Sequence, residues 1–93
     1  MKRTLIHSAR FIKRLKRFLK LHPDQASHLQ AVLEQLSDDA IHPSLKTHKL
    51  HGVLSGSLAC SVGYDLRIVF EILVQDEGEG ILLQSIGTHE EVY

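Results

Sequence analysis

Within SLACSVGYDLRIVFEI, residues 57–72, apolar and polar side chains trade places at every second residue, twice over, on either side of a glycine-bearing break. Leu58, Cys60 and Val62 fall on one side, and Ser57, Ala59 and Ser61 on the other. Leu66, Ile68, Phe70 and Ile72 then repeat the alternation against Asp65, Arg67, Val69 and Glu71. A period of two belongs to a strand with one buried face. Two antiparallel strands joined at GYD, residues 63–65, are therefore expected. Downstream, QDEGEG (75–80) reads as a polar hairpin loop, and ILLQSIG (81–87) as a more uniformly apolar, interior strand.

Upstream the period changes to that of helices. Ser8 can cap a helix whose apolar residues, Phe11, Ile12, Leu15, Phe18 and Leu19, recur at helical spacing. His22 before Pro23 ends it, and Pro23 opens a second helix striped by Ala26, Leu29, Val32, Leu33 and Leu36. SDD (37–39) weakens that helix before IHPSL (41–45) leads away. KRTLIH (2–7) is a weak strand that can join a sheet formed later. The expected fold class is α+β: an N-terminal helical hairpin packed on a small, mainly antiparallel twisted sheet, with residues 1–93 forming one domain.

The chain has 93 residues, 43% hydrophobic and 24% charged, a globular composition that argues against a disordered or fibrous protein. No run of about 18 apolar residues is present to suggest a membrane helix, and MKRTLIHSAR lacks a signal-like apolar core, so a cytoplasmic protein is expected. One cysteine, Cys60, cannot close an internal disulfide and packs as a small apolar residue. Net charge is zero but unevenly spread. Residues 2–20 carry Lys and Arg with no acid, including Arg10, Lys13, Arg14 and Arg17, while residues 76–91 carry acids with no Lys or Arg. Such a helix is either a solvated face or a surface for a polyanionic or acidic partner.

The face of the strands opposite the apolar one holds Asp65 and Arg67. LKTHKLHGVLSG (45–56) adds Lys46, His48, Lys49 and His51, and the C-terminus adds His89 and Tyr93. Imidazoles, a carboxylate, cations and a phenol on one surface suit proton movement around a phosphate. RNA can be cut by its own 2′-hydroxyl, given a base for that hydroxyl, an acid for the leaving 5′-oxygen and cations for the developing charge. The residues alone leave this open. Asp65 and Arg67 can equally form surface pairs across strands. His51 before Gly52 suits a turn, and His7, His22, His28 and His42 read as solvated. His48, His51 and His89 make a poor zinc site, because the spacing is not that of a helical ligand pair and no cysteine or carboxylate cluster completes it.

The chain also resembles the RelE superfamily of bacterial toxins, in the branch of mRNA interferases typified by YafQ. The resemblance rests on HKLHGVLSGSLACSVGYDLRIVFEI (48–72) followed by ILLQSIGTHEEVY (81–93), and extends over essentially the whole chain. The helical hairpin, the H-K-L-H-G turn, the D-L-R-I-V-F strand and the terminal G-T-H-E-E-V-Y come in the family's order. The resemblance implies a toxin that cleaves mRNA on the translating ribosome, needs neither metal nor cofactor, and is neutralised by a cognate antitoxin.

It further implies site residues. His48 falls where the branch has a histidine at the head of the turn motif, Asp65 where it has an acidic residue before the strand and His89 where it has the near-terminal catalytic histidine, so all three are implied to be catalytic, and Tyr93 matches a C-terminal aromatic. Arg67 looks like the arginine that holds the scissile phosphate, with Lys46, Lys49 and Tyr93 on the substrate. Ser61, also assigned to the substrate, departs from the pattern, since such members often have another histidine there. Asp65 or His48 would then be the base and His89 the acid. Arg10, Lys13, Arg14 and Arg17 would contact RNA or the antitoxin. ParE-like toxins, similar in fold, inhibit gyrase without this histidine set. A non-enzymatic protein-binding module is thus the alternative.

Overall fold

The computed structural model describes residues 3–63, 65–75, 78–88 and 92. Ser8 has extended backbone, and its Oγ accepts a hydrogen bond from the Phe11 amide at 3.1 Å, so the first helix, α1 (Ala9–Leu21), starts where a side-chain cap supplies an acceptor for an otherwise orphaned N–H. The Ser8 hydroxyl in turn donates to the Gln84 carbonyl at 3.1 Å, tying this cap to the sheet. A 3-10 turn over Pro23–Gln25 separates α1 from α2 (Ala26–Asp38). Proline serves at the start of that turn because its missing N–H has no helical partner to lose.

Among the described residues the sheet has five strands: β1 (Thr4–His7), β2 (His48–Lys49), β3 (Leu58–Gly63), β4 (Leu66–Gln75) and β5 (Gly78–Thr88). Their order is β1-β5-β4-β3-β2. β1 runs parallel to β5, with Thr4 opposite Gly80 and His7 opposite Leu83, and the other pairs are antiparallel. The weak N-terminal strand thus forms because β5 offers it an edge, and the expected α+β hairpin-on-sheet architecture is the one observed. Two expectations change. β2 was not anticipated, because two residues carry no readable period. The β4–β5 loop is shorter than expected: Gln75 already pairs with Gly78, so residues expected in the loop extend the ladder.

Phe11, Leu29, Val32 and Leu36 from the helices meet Cys60, Val62, Ile68, Phe70, Ile81, Leu83 and Ile86 from the strands in one buried cluster. Phe11, Phe70 and Ile68 have no exposed surface. Truncating a buried aromatic such as Phe11 to alanine would cost about 3–5 kcal/mol. Cys60 packs in this core, as its lone occurrence suggested, and burial pushes its thiol up from 9.0 to about 12 despite a backbone hydrogen bond from Ile68 and the nearby Arg67 guanidinium. None of the described helices is long and apolar enough to cross a membrane.

Two irregularities shape the open end of the sheet. The β3–β4 register slips between Ser61 and Gly63, and Gly63 adopts φ 120°, a conformation that a side chain would strain. On β5, Ser85 faces Val69 and Leu83 faces Phe70, leaving Gln84 as the extra residue of a bulge. Its displaced carbonyl is the one that accepts the Ser8 hydroxyl.

Candidate active site

Residues directly opposite across a ladder project from the same face. His48 is opposite Ala59, Ala59 opposite Val69, and Val69 opposite Ser85, giving one row across four strands on the face away from the helices. The next row is Ser61, Arg67 and Gly87. The structure therefore brings His48, Ser61 and Arg67 together on one face. β2, invisible in the periodicity, is what carries His48 there. Two strand spacings and a two-residue offset along the strand separate His48 from Arg67, about 12 Å between backbones. Arms as long as an imidazole and a guanidinium can close that span over one phosphodiester.

Arg67 is half-buried, and its Nη1 donates to the Ser61 Oγ at 3.4 Å and to the Leu66 carbonyl at 3.2 Å. The guanidinium is thereby held along the strand ends. His48 is exposed, and its Nδ1 lies 3.2 Å from the Lys46 carbonyl. A carbonyl can only accept, so Nδ1 carries the proton, and in the neutral ring Nε2 carries the lone pair. In that tautomer Nε2 is the ring nitrogen that can accept a proton. Between the arms, Ala59 and Val69 form a buried floor, at 0% and 2% exposure. This face is consequently less open at its centre than alternation implied.

A polar chain beside that floor was not foreseen. Ser57 Oγ donates to Gln84 Oε1 at 2.7 Å, and Gln84 Nε2 donates to Glu71 Oε2 at 3.4 Å. Glu71 was legible on this face, but Gln84 joins it through the β5 bulge, which leaves no sequence signal. The buried Ser85 hydroxyl has no hydrogen-bond partner among the described residues.

The remaining predicted residues scatter. Lys49 is opposite Leu58, whose side chain packs into the core, so Lys49 stands on the other face from Arg67; a strand at 48–49 separates neighbours by the pleat. Lys46, in left-handed backbone at φ 50°, lines with Ser61 a groove between α2 and β3. Asp65 lines a different cleft, of about 460 Å³, on the helix side at the open end of the sheet. Arg14 and Arg17 line that cleft with Asp65, while Arg10 and Lys13 are exposed elsewhere on α1. His89 and Tyr93 lie outside the described residues. The convergence of Asp65 with Arg67 expected from their spacing is not seen: Arg67 belongs to the opposite face, and Asp65 precedes the regular part of β4.

The histidines read as solvated are exposed, His42 partly so, and each also has a partner: His7 packs its ring against Phe11 with centroids 5.7 Å apart. His28 donates from Nε2 to the Val62 carbonyl, pinning α2 to β3. His22 packs its ring against Phe18 with centroids 5.0 Å apart, and His42 accepts from the Ser44 amide at 3.1 Å. His51 sits, as expected, in a turn ahead of Gly52, whose φ of 72° suits glycine. Among the described residues no three His, Cys, Asp or Glu side chains cluster to hold a metal ion.

Residues 3–93 match a family described as the bacterial toxin of the type II toxin-antitoxin system, YafQ. The chain belongs to the YafQ toxin family. It is accordingly a toxin of a type II toxin-antitoxin system. No curated protein matches it. Among solved structures, a metal-bound toxin from Helicobacter pylori is 28% identical, with all of both chains covered and a TM-score of 0.77. YafQ from E. coli strain BL21(DE3) is 16% identical over 99% of each chain, with a TM-score of 0.79. The toxin in the E. coli DinJ-YafQ toxin-antitoxin complex is 17% identical, covering 100% of this chain and 99% of its own, with a TM-score of 0.77. The E. coli structures share the YafQ fold with this chain, including the hairpin on the mainly antiparallel sheet.

Proposed function

We propose that this YafQ-family toxin is a ribosome-dependent mRNA endoribonuclease of the cytoplasm that works by metal-independent acid/base attack of the RNA 2′-hydroxyl. The observation that best supports this reading is the strand register that sets His48 and Arg67 on one face across a buried floor. His48 is the base: its Nδ1 proton is committed to the Lys46 carbonyl, and Nε2 takes the proton of the 2′-hydroxyl. The freed oxygen bonds to phosphorus. Arg67, oriented by Ser61, stabilises charge on the equatorial phosphate oxygens. His89, one peptide bond beyond the Thr88 that pairs with Leu66, is the acid that protonates the departing 5′-oxygen. The products are a 2′,3′-cyclic phosphate and a 5′-hydroxyl.

Lys46, beside Ser61, supplies a second cation for the backbone, and Tyr93 stacks on a base. The face separation favours His48 over Asp65 as base and argues against a place for Lys49 at the phosphate. Arg10 and Lys13, exposed on α1, contact ribosomal RNA phosphates, which give affinity without sequence choice. A cognate antitoxin, as in the DinJ-YafQ complexes, neutralises the toxin.

The test is induction of the parental toxin and of folded His48→Gln and His89→Gln variants, with 5′-end mapping of cellular mRNA. Cuts inside reading frames that vanish in both variants are expected. Undiminished cutting by either variant, cutting that needs an added divalent cation, or DNA damage signals without mRNA cuts would each refute the assignment.

A further inference from the structure

Resting on the nuclease reading, we propose that Gln84, the extra residue of the β5 bulge, is the positioning residue that holds His48 in place from across the sheet. His48 lies on β2, a two-residue strand at the edge of the sheet, whose ladder with β3 pairs only His48 with Ala59 and Lys49 with Leu58. So short an edge strand is weakly held by its own ladder, because few backbone bonds and buried contacts oppose its opening. β2 is therefore tied at its ends. Before it, the Thr47 hydroxyl donates to the Ala40 carbonyl at 2.6 Å. After it, the Leu50 amide donates to the Ser57 carbonyl at 3.0 Å, a further rung that closes the loop carrying the Gly52–Leu54 turn.

That second tie leads to Gln84. Ser57 is buried, at 7% exposure, and its hydroxyl donates to Gln84 Oε1 at 2.7 Å. Without that acceptor the hydroxyl would be left buried and unpaired, so the bond fixes Ser57, and with it the carbonyl that Leu50 needs. Gln84 is itself anchored on both sides. Its Nε2 donates to Glu71 Oε2 on β4 at 3.4 Å, and its carbonyl accepts the Ser8 hydroxyl from the α1 cap at 3.1 Å. The bulge supplies the reach: an extra residue between Leu83 and Ser85 lets the carboxamide meet Glu71 while Leu83 stays in the core. A chain of contacts thus runs from Glu71 through Gln84 and Ser57 to Leu50, two residues beyond His48. A general base must come within hydrogen-bond reach of its proton, and a displacement of about 1 Å can cost about 10²-fold in rate.

The experiment compares the full chain with Gln84→Leu, which removes both side-chain bonds, and with the double variant Glu71→Gln/Gln84→Glu. The double variant exchanges carboxylate and carboxamide, keeping an acceptor for Ser57 and an amide-to-carboxylate bond between β4 and β5. Glu79→Gln, which breaks the Arg3 ion pair elsewhere on β5, is the control. Circular dichroism confirms that each variant is folded. The His48 ring nitrogens are followed by NMR, and cleavage of mRNA on programmed ribosomes gives kcat and KM. Gln84→Leu should shift the His48 signals away from the Nδ1-protonated tautomer and lower kcat by at least about tenfold, with KM within about threefold. The double variant should restore both, and Glu79→Gln should alter neither. Added to His48→Gln, Gln84→Leu should change the residual cleavage by excess toxin less than about twofold, because a residue acting through His48 has nothing left to hold. Unchanged His48 signals in Gln84→Leu, a KM rise in place of the kcat loss, or a full further loss in the His48→Gln background would each overturn the assignment. If the parental chain cuts no mRNA, the nuclease reading fails, and the His48 signals alone decide whether Gln84 holds that imidazole.

Discussion

Replacing Arg67 by alanine should separate chemistry from stability. In the fold, the guanidinium donates to Ser61 at 3.4 Å and to Leu66 at 3.2 Å, both at the long end of hydrogen-bond geometry. Its cross-strand neighbour on β5, Gly87, has no side chain to pack against it. The aliphatic stem is half-buried, so some packing is lost as well. Losing these contacts costs at least about 1 kcal/mol, or at least about 4 °C in melting temperature for a chain of this size. In the transition state the same group would face developing negative charge on phosphorus-bound oxygens, where removing one preorganised donor costs about 10²- to 10³-fold in rate. The assay pairs a thermal melt with ribosome-programmed mRNA cleavage, and adds Arg67→Lys, which keeps the charge but loses the planar fork and should recover only part of the rate. Cleavage by Arg67→Ala within about threefold of the parental rate would refute the phosphate-binding role. A melting-temperature fall that unfolds the variant at the assay temperature would show instead that Arg67 acts through the fold.

The Cys60 thiol, pushed up from 9.0 to about 12 by burial, should make the protein labile to alkali. Above pH 9 the unfolded thiol releases its proton while the folded one keeps it, so stability is full below pH 9 and falls as pH rises toward about 12, by on the order of 4 kcal/mol. Urea melts at rising pH should show that loss in the parental chain and a smaller one in Cys60→Ala. His28→Ala leaves the Val62 carbonyl without its imidazole partner and should cost about 1–2 kcal/mol, with faster hydrogen exchange at the β3–β4 end in native-state exchange measurements. Ser8→Ala removes both the cap on the Phe11 amide and the bond to Gln84, and should cost about 1–2 kcal/mol by denaturant titration, whereas Ser8→Asp should keep the cap.

Much of the architecture was legible because burial imposes a period. Leu66, Ile68, Phe70 and Ile72 do line the core side of β4, and Leu58, Cys60 and Val62 that of β3, because a half-buried strand repeats every second residue. The helices were legible from the stripe through Phe11 and Leu15 and from that through Leu29 and Leu36, bounded by Ser8 and Pro23, since cap and proline chemistry act locally. The residues from which a site could be built were also visible in the sequence, in the histidines, the cations and the single carboxylate along residues 45–67.

Placement was not. His48 reaches the face of Arg67 through β2, two residues paired across a long sequence gap, and Lys49 is turned away by the same pleat. Gln84 joins Glu71 by way of a bulge, and Asp65 opens onto the cleft with Arg14 and Arg17 although it stands two residues from Arg67. Local sequence determines which residues can be buried and which elements form, because those preferences are felt within a few residues along the chain. Register, bulges and the meeting of a helix end with a strand end depend on contacts between segments far apart in sequence, and they decided which charged groups share a surface.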